Sequence, residues 1–345
     1  MSEYKKVEKP AIEQLQALGY DYVPGEELAP DAPAQERSSW RDVVLVDRLR
    51  TALMRINPWL SPENLNKVIH DIVYVQAASL MEANEKVYEG LVKYMSYEQD
   101  LGHGRKGQTV KVIDFDNPDN NEFLAVNQFK VQGPKQSIVP DIIVFINGLP
   151  MAVMECKSPY TTNPMEAGIN QLLRYCNQRN PQEQEGSERL FWYNQVMVSS
   201  FGDQTMMGTI SSGYEHYMEW KDPYPLKPAD VGGKARSQEL LVAGMFRKEN
   251  LLDIIRNFIV FEPVDGRIIK KMARYQQYRA VHKTLERLKR DVSRKERGGV
   301  IWHTQGSGKS LTMVFTAVRI RRDHDLKDYK LVFITDRTQL DRQLT

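Results

Sequence analysis

The chain has 345 residues, a net charge of +2, and 41% hydrophobic against 27% charged residues. That length suits two or three domains with a sizeable core, and so small a net charge neither demands nor excludes a nucleic-acid partner. Cys156 and Cys176 make neither a zinc spacing nor a disulfide framework, no apolar run approaches a membrane span, and MSEYKKVEKP is not a signal peptide. The expectation is a cytoplasmic protein with no membrane partner.

In chain order, residues 8–19 (EKPAIEQLQALG) read as a short helix, with Ile12, Leu15 and Leu18 at helical spacing and Gly19 as its stop. A polar, Pro-rich loop covers 24–35. Helical patterns occupy 40–56 and 61–82, after which NEKVYEGLVKY (84–94) turns toward a strand. Strand patterns fill 109–157: TVKVIDF, NEFLAVNQFKV, then PDIIVFINGLPMAVMECK. TTNP (161–164) predicts a helix start with Asn163 as N-cap and Pro164 in the first helical position. QVMVSSF (195–201) reads as a strand, 213–237 as irregular, and 239–257 and 270–290 as helices, and Gly298-Gly299 opens a new unit. The expected division is a domain over 1–235, a linker region over 236–265 and a second domain over 266–345.

The stretch 140–157 carries chemistry. Two apolar runs flank Asn147-Gly148, a strong hairpin signal. The hairpin begins with Asp141 and ends with Glu155 and Lys157, which share a face because strand side chains alternate. A bare E-x-K is ordinarily a solvated strand end; here the strand is apolar on both faces up to the acid. Two carboxylates and an amine are what metal-dependent phosphodiester hydrolysis requires: Asp141 and Glu155 to hold Mg2+, a hard cation, and Lys157 to orient water or offset charge. A plain two-residue turn pairs residue 146 with 149, and hence 141 with 154, leaving Asp141 facing away from Glu155. The site therefore needs a β-bulge or a longer loop. Further on, Gln171 and Tyr175 stand four apart, on one face of the expected helix.

A second constellation is GGVIWHTQGSGKSLTMVFTAVRI (298–320), an apolar run, a Gly-rich turn and a helical pattern. Gly306, Ser307 and Gly308 would let backbone N–H groups approach phosphates, Lys309 would reach the β/γ-phosphates of ATP, and Ser310 would ligate Mg2+. The strict phosphate-loop pattern fails at its first position, His303, which reads as structural. Residues 283–297 carry seven Lys or Arg, and RIRR follows at 319–322; such a basic face is usually solvated but could track DNA phosphates.

These motifs in this order resemble known families. P-D, E-x-K and Q-x-x-x-Y look like the PD-(D/E)xK nuclease superfamily in its Gln/Tyr variant. That resemblance implies an α/β mixed sheet flanked by helices, with Gln171 and Tyr175 supporting Lys157 or the DNA backbone. It also implies an acid on the first helix, Glu8 ahead of Glu13. RYQQYRAV (274–281) resembles the adenine-reading segment of superfamily 2 helicases, Gln277 ahead of Gln276, and KLVFITDR (330–337) resembles their motif Ia rather than a Walker B strand. A nuclease domain followed by an incomplete RecA-like P-loop domain is similar to the restriction (R) subunit of type I restriction–modification enzymes. That family implies cleavage of double-stranded DNA, ATP-driven translocation, and methyltransferase and specificity subunits as partners. The chain carries no DEAH-type acid pair, so the expectation is the N-terminal piece of a longer chain that binds nucleotide poorly alone. A non-catalytic DNA-binding or assembly module, and an ATP-binding protein whose hairpin is only structural, stay open as readings of the residues.

Overall fold

The computed structural model of the chain describes residues 3–232 and 234–334. Its centre is one seven-stranded mixed sheet: β1 (Asp21–Pro24), β2 (Phe123–Asn127), β3 (Ile142–Ile146), β4 (Leu149–Cys156), β5 (Val196–Ser200), β6 (Thr205–Gly208) and β7 (Met218–Glu219), side by side in chain order. The β1–β2 and β4–β5 pairs are parallel, and the β2–β3, β3–β4, β5–β6 and β6–β7 pairs antiparallel. Every residue of β2, β3, β4 and β5 is buried. A strand covered on both faces must be apolar throughout, which is why these segments read as continuous rather than alternating hydrophobic runs.

The helices are α1 (Lys9–Ala17), α2 (Val46–Ile56), α3 (Pro62–Val73), α4 (Leu80–Val92), α5 (Pro164–Tyr175), α6 (Ser237–Met245) and α7 (Lys248–Asn257), of which α1, α5 and α6 pack on the sheet. The parallel β4–β5 step needs a crossover, and α5 provides it. A π-helical turn, Tyr4–Glu8, leads into α1; such turns recur where a helix must re-aim a side chain at a functional site.

The chain forms two compact units. The first comprises residues up to Leu252 together with Phe261–Lys271; the second comprises Asp253–Val260 and the residues from Met272 onward. The sheet and the acidic hairpin belong to the first. In the second, α8 (Tyr275–Leu288) and α9 (Lys309–Arg322) pack through Phe258, which lies 4.8 Å from Tyr278 and 5.5 Å from Phe315 between ring centroids.

Several segments differ from their sequence expectation. Residues 84–94 lie largely in helix α4, because Ala83, Val87, Tyr88 and Leu91 fall on one buried helical face and Ser79 caps the start by accepting from the Glu82 N–H. The 61–82 pattern breaks at Tyr74. The helix expected from residue 40 starts at Val46, since the Asp42 carboxylate folds Ser38 and Ser39 into a turn. Residues 95–100 and 105–110 pair as an antiparallel hairpin, and the expected strand 109–115 ends at Val110. Residues 239–257 form two helices, broken at Phe246 and Arg247, and Arg267–Met272 is a strand rather than a helix start. The expected linker 236–265 is thus largely helical. Residues 298–304 form no strand, for no ladder partner lies beside them among the described residues, and Val300 and Trp302 are exposed. Of KLVFITDR, residues 331–334 carry no regular structure and 335–337 lie outside the described residues.

Candidate active site

Strands β3 and β4 are joined by a two-residue turn, Asn147-Gly148, with φ of 52° and 78°. That is the left-handed backbone a tight hairpin requires, and Asn and Gly are the residues that tolerate it. From the turn the ladder runs Ile146 to Leu149 and Phe145 to Pro150, then jumps to Val144 with Ala152. Met151 is the extra residue of a β-bulge. Beyond it Ile142 pairs with Met154, so the next pair brings Asp141 opposite Glu155. A straight ladder would have set Asp141 against Met154. The irregularity that the site requires is therefore present, and the Cys156 N–H seals it by donating to Asp141 Oδ2 at 2.7 Å.

Around this pair the chain gathers an acid cluster. Lys157 Nζ donates to Glu155 Oε1 at 2.5 Å and to the Cys156 carbonyl at 3.1 Å. Glu8 is buried beside Asp141, and its carboxylate accepts from Asn127 Nδ2 at 3.0 Å and from Gln128 Nε2 at 3.3 Å. Gln128 Nε2 also reaches Asp141 Oδ1, at 3.1 Å. Burial raises the pKa of all three acids, Glu155 furthest, and the Asp141 charge adds to the rise at both glutamates. Burial works against the Lys157 ammonium, but Glu155 and then Asp141 outweigh it and hold that pKa above the ordinary lysine value. Negative charge is thus disfavoured at all three acids, and one ammonium only partly offsets the effect of burial.

Of the two first-helix acids, Glu8 stands in this cluster, whereas Glu13 is exposed and pairs with Lys9 at 3.6 Å. Gln171 Nε2 donates to Tyr175 Oη at 2.5 Å, and that hydroxyl donates to the Val139 carbonyl at 3.1 Å. The pair ties α5 to the chain two residues before Asp141, while Lys157 donates to Glu155 and the Cys156 carbonyl. Asn163 occupies the N-cap position of α5 with Pro164 first in the helix, but its φ of 49° is left-handed and its side chain caps nothing. A side-chain N-cap needs the extended backbone.

Asn127, Gln128 and Glu3, whose Oε2 accepts from the Ser158 N–H at 2.8 Å, escape the sequence reading. The available signal is that LAV ends in two consecutive amides, as the hairpin ends in charges. A divalent cation fits the donors present. Among the described residues Glu155 Oε2 is buried with no hydrogen-bond partner, and a buried carboxylate oxygen calls for one. No group of three His, Cys, Asp or Glu side chains stands at metal-ligand spacing among the described residues. One or two carboxylates are what Mg2+ takes from a protein, its other ligands being water and substrate oxygens.

In the second unit, Gly306 and Gly308 adopt φ of 76° and 86° directly before α9, and Lys309 Nζ folds back onto the His303 carbonyl at 2.9 Å. Ser307 Oγ donates to the Thr304 carbonyl at 2.6 Å, and Ser310 lies in the first turn of α9. Gln277 is buried and donates to the Gly308 carbonyl at 2.8 Å, while its Oε1 accepts from the Arg274 N–H at 2.8 Å. Gln276 Oε1 is buried without a partner among the described residues. Two left-handed glycines thus lead the chain straight into the N-terminus of α9.

Residues 1–216 match the family model described as Type I restriction enzyme R protein N terminus. The chain belongs to this family. Residues 276–345 match a second family model, the SWI2/SNF2 ATPase. Among curated relatives, the type I restriction enzyme HindI endonuclease subunit of Haemophilus influenzae is 34% identical over 98% of this chain and 32% of its own length. A Methanocaldococcus jannaschii protein, provisionally named the MjaIXP endonuclease subunit of a type I restriction enzyme, is 32% identical over 98% of this chain and 33% of its own length. The chain thus spans about a third of the curated relatives it matches. Among the described residues no helix is long and apolar enough to cross a membrane.

Proposed function

We propose that the first unit is a Mg2+-dependent endonuclease domain of the PD-(D/E)xK type, cutting double-stranded DNA without reading its sequence as part of a type I restriction subunit. The observation that carries this reading is the bulge at Met151, which sets Asp141 against Glu155 and brings both acids beside Lys157. Asp141 and Glu155, with Glu8 behind them, would hold Mg2+, which when bound neutralises phosphate charge and lowers the pKa of an attacking water. Lys157 stays protonated beside Glu155 and can donate to a phosphate oxygen or orient that water. Tyr175, through the Val139 carbonyl, keeps the entry to Asp141 in place.

The phosphate loop of the second unit is, in this reading, the ATP site at the start of a RecA-like DNA-translocating motor. Gly306, Ser307, Gly308 and Lys309 would receive the phosphates, Ser310 would reach Mg2+, and Gln277 would stand at the adenine side. Methyltransferase and specificity subunits would be the partners, the latter reading DNA sequence.

Plasmid nicking with Mg2+ tests the reading by comparing wild type with Asp141→Ala and Lys157→Ala. Loss of cleavage in both variants is expected. Equal cleavage by all three proteins would sink the nuclease and favour a non-catalytic assembly module.

A further inference from the structure

Gln128 touches two of the three acids through one group. Its side-chain amide donates to Asp141 Oδ1 at 3.1 Å and to both Glu8 oxygens at 3.3 Å, spanning residues brought in by a helix and by a strand. To do so it takes a φ of 52°, where residues other than glycine are uncommon. The backbone there is locked. The Gln128 N–H donates to the Asp141 carbonyl at 3.0 Å, and the Gly25 N–H donates to the Asn127 carbonyl at 2.8 Å. The loop at Gly25 sits so close that a Cβ there would come within 2.5 Å of the Asn127 carbonyl and 2.8 Å of the Gln128 carbonyl. The turn itself would be made most easily by glycine, so its shape does not account for a glutamine. The amide does: it carries two N–H donors and lies between two like charges.

We propose that Gln128 is a positioning residue of the acid site, its amide fixing the separation and orientation of Glu8 and Asp141 so that both face one divalent cation. This rests on the nuclease reading above. Glu8 Oε1 accepts from Asn127 as well, but Glu8 Oε2 and Asp141 Oδ1 each take one bond from Gln128 and keep a second lone pair, so the amide restrains both acids without consuming their capacity as ligands. Asn127 Nδ2, at 3.0 Å from Glu8 Oε1 and itself held by the Tyr22 hydroxyl at 3.0 Å, restrains Glu8 from a second side.

The test uses the whole chain and Gln128→Gly, which suits the left-handed backbone and removes the side chain that carries the amide. The readouts are Mn2+ binding without DNA, followed by electron paramagnetic resonance, and the Mg2+ concentration giving half-maximal plasmid nicking. The variant should melt no lower than wild type, bind Mn2+ about 10- to 100-fold more weakly, the usual loss when the partner of a metal ligand is removed, and recover nicking at raised Mg2+. Glu8→Gln should weaken binding similarly, and the double variant should be no worse than Glu8→Gln alone. A purely structural role would instead give additive losses, and that result overturns the proposal. Unchanged Mn2+ binding in Gln128→Gly overturns it as well. If wild type binds Mn2+ and Asp141→Ala does not, that failure touches Gln128 alone; if wild type binds none, the nuclease reading falls with it.

Discussion

The Cys156 N–H donates to Asp141 Oδ2 at 2.7 Å, and this bond crosses the hairpin at the one register that also opposes Asp141 to Glu155. Asp141 is thus both a candidate ligand and the acceptor that satisfies a buried backbone donor. The two roles come apart by mutation.

Asp141→Asn keeps an oxygen for the Cys156 N–H and removes the charge, whereas Asp141→Ala leaves that N–H buried and unpaired. An orphaned buried donor costs about 1–3 kcal/mol. Without divalent cation, Asp141→Asn should unfold at or above the wild-type denaturant concentration, because it relieves repulsion within the cluster, and Asp141→Ala should fall below it by that amount. Both should lose cleavage. Indistinguishable denaturation midpoints would mean that the cross-hairpin bond contributes nothing.

The raised pKa values of Glu155, Asp141 and Glu8 set a pH dependence with a definite sign. The folded chain holds these protons more tightly than the unfolded chain does. Their contribution to stability is therefore full below the ordinary carboxylate range, near 4.5 for glutamate, and is lost as pH rises through the raised values. Metal-free protein should lose stability from mildly acidic toward neutral pH, and Glu155→Gln should flatten that slope. Because protons compete with the cation, the Mg2+ needed for half-maximal nicking should fall as pH rises over the same window. A Mg2+ requirement independent of pH would contradict the burial of these acids.

How far the site can be read from residues alone depends on distance along the chain. In PDIIVFINGLPMAVMECK a strand buried on both faces must be apolar, so the charges at its ends stand out, and counting from Asn147-Gly148 exposes the need for a bulge. Gln128 is invisible in this way. Amides commonly end strands for local reasons, and its partner Glu8 arrives from a helix 120 residues earlier. Segment 84–94 misleads for another reason: its Val and Tyr residues favour a strand locally, and only packing of the Val87, Tyr88 and Leu91 face settles the helix. At 298–304 an apolar run meets no ladder among the described residues, and composition alone does not say what a strand will pair with.

Helix α5 presses on β5 at Gly168. A Cβ there would clash with Ser199 Oγ, stand 3.3 Å from Ser199 Cβ and stand 3.5 Å from Lys157 Cγ. Ser199 Oγ is buried with no hydrogen-bond partner among the described residues. Gly168→Ala should therefore cost about 1–3 kcal/mol by overpacking against Ser199, the approach to Lys157 being ordinary contact. Ser199→Ala should be neutral or mildly stabilising. The double variant should regain the loss and add about 0.5–1 kcal/mol from alanine in a helix interior. Thermal melts of the three proteins check this, and a double variant no better than Gly168→Ala would show that the clash lies elsewhere.

Lys270 gives the last test. Its ammonium is buried in the first unit and donates to Gln195 Oε1 at 2.6 Å, Asn84 Oδ1 at 2.8 Å and the Asn194 carbonyl at 2.9 Å, with no carboxylate among these acceptors. Asn84 cannot turn its amide to compensate for a loss, since its Nδ2 already serves the Phe191, Trp192 and Asn194 carbonyls. Lys270→Met removes a costly buried charge but strands two acceptors, Gln195 Oε1 and Asn84 Oδ1, at about 1–3 kcal/mol each, the Asn194 carbonyl keeping its bond from Asn84. The net expectation is a loss of about 2–4 kcal/mol, the acceptors outweighing the charge. Burial drives the Lys270 pKa well below the ordinary 10.5. The unfolded chain then binds more protons in that interval, so wild-type stability should rise with pH toward the ordinary lysine range. Lys270→Met should lack this rise, and denaturation at two alkaline pH values with parallel changes in both proteins would refute the assignment of the slope to Lys270.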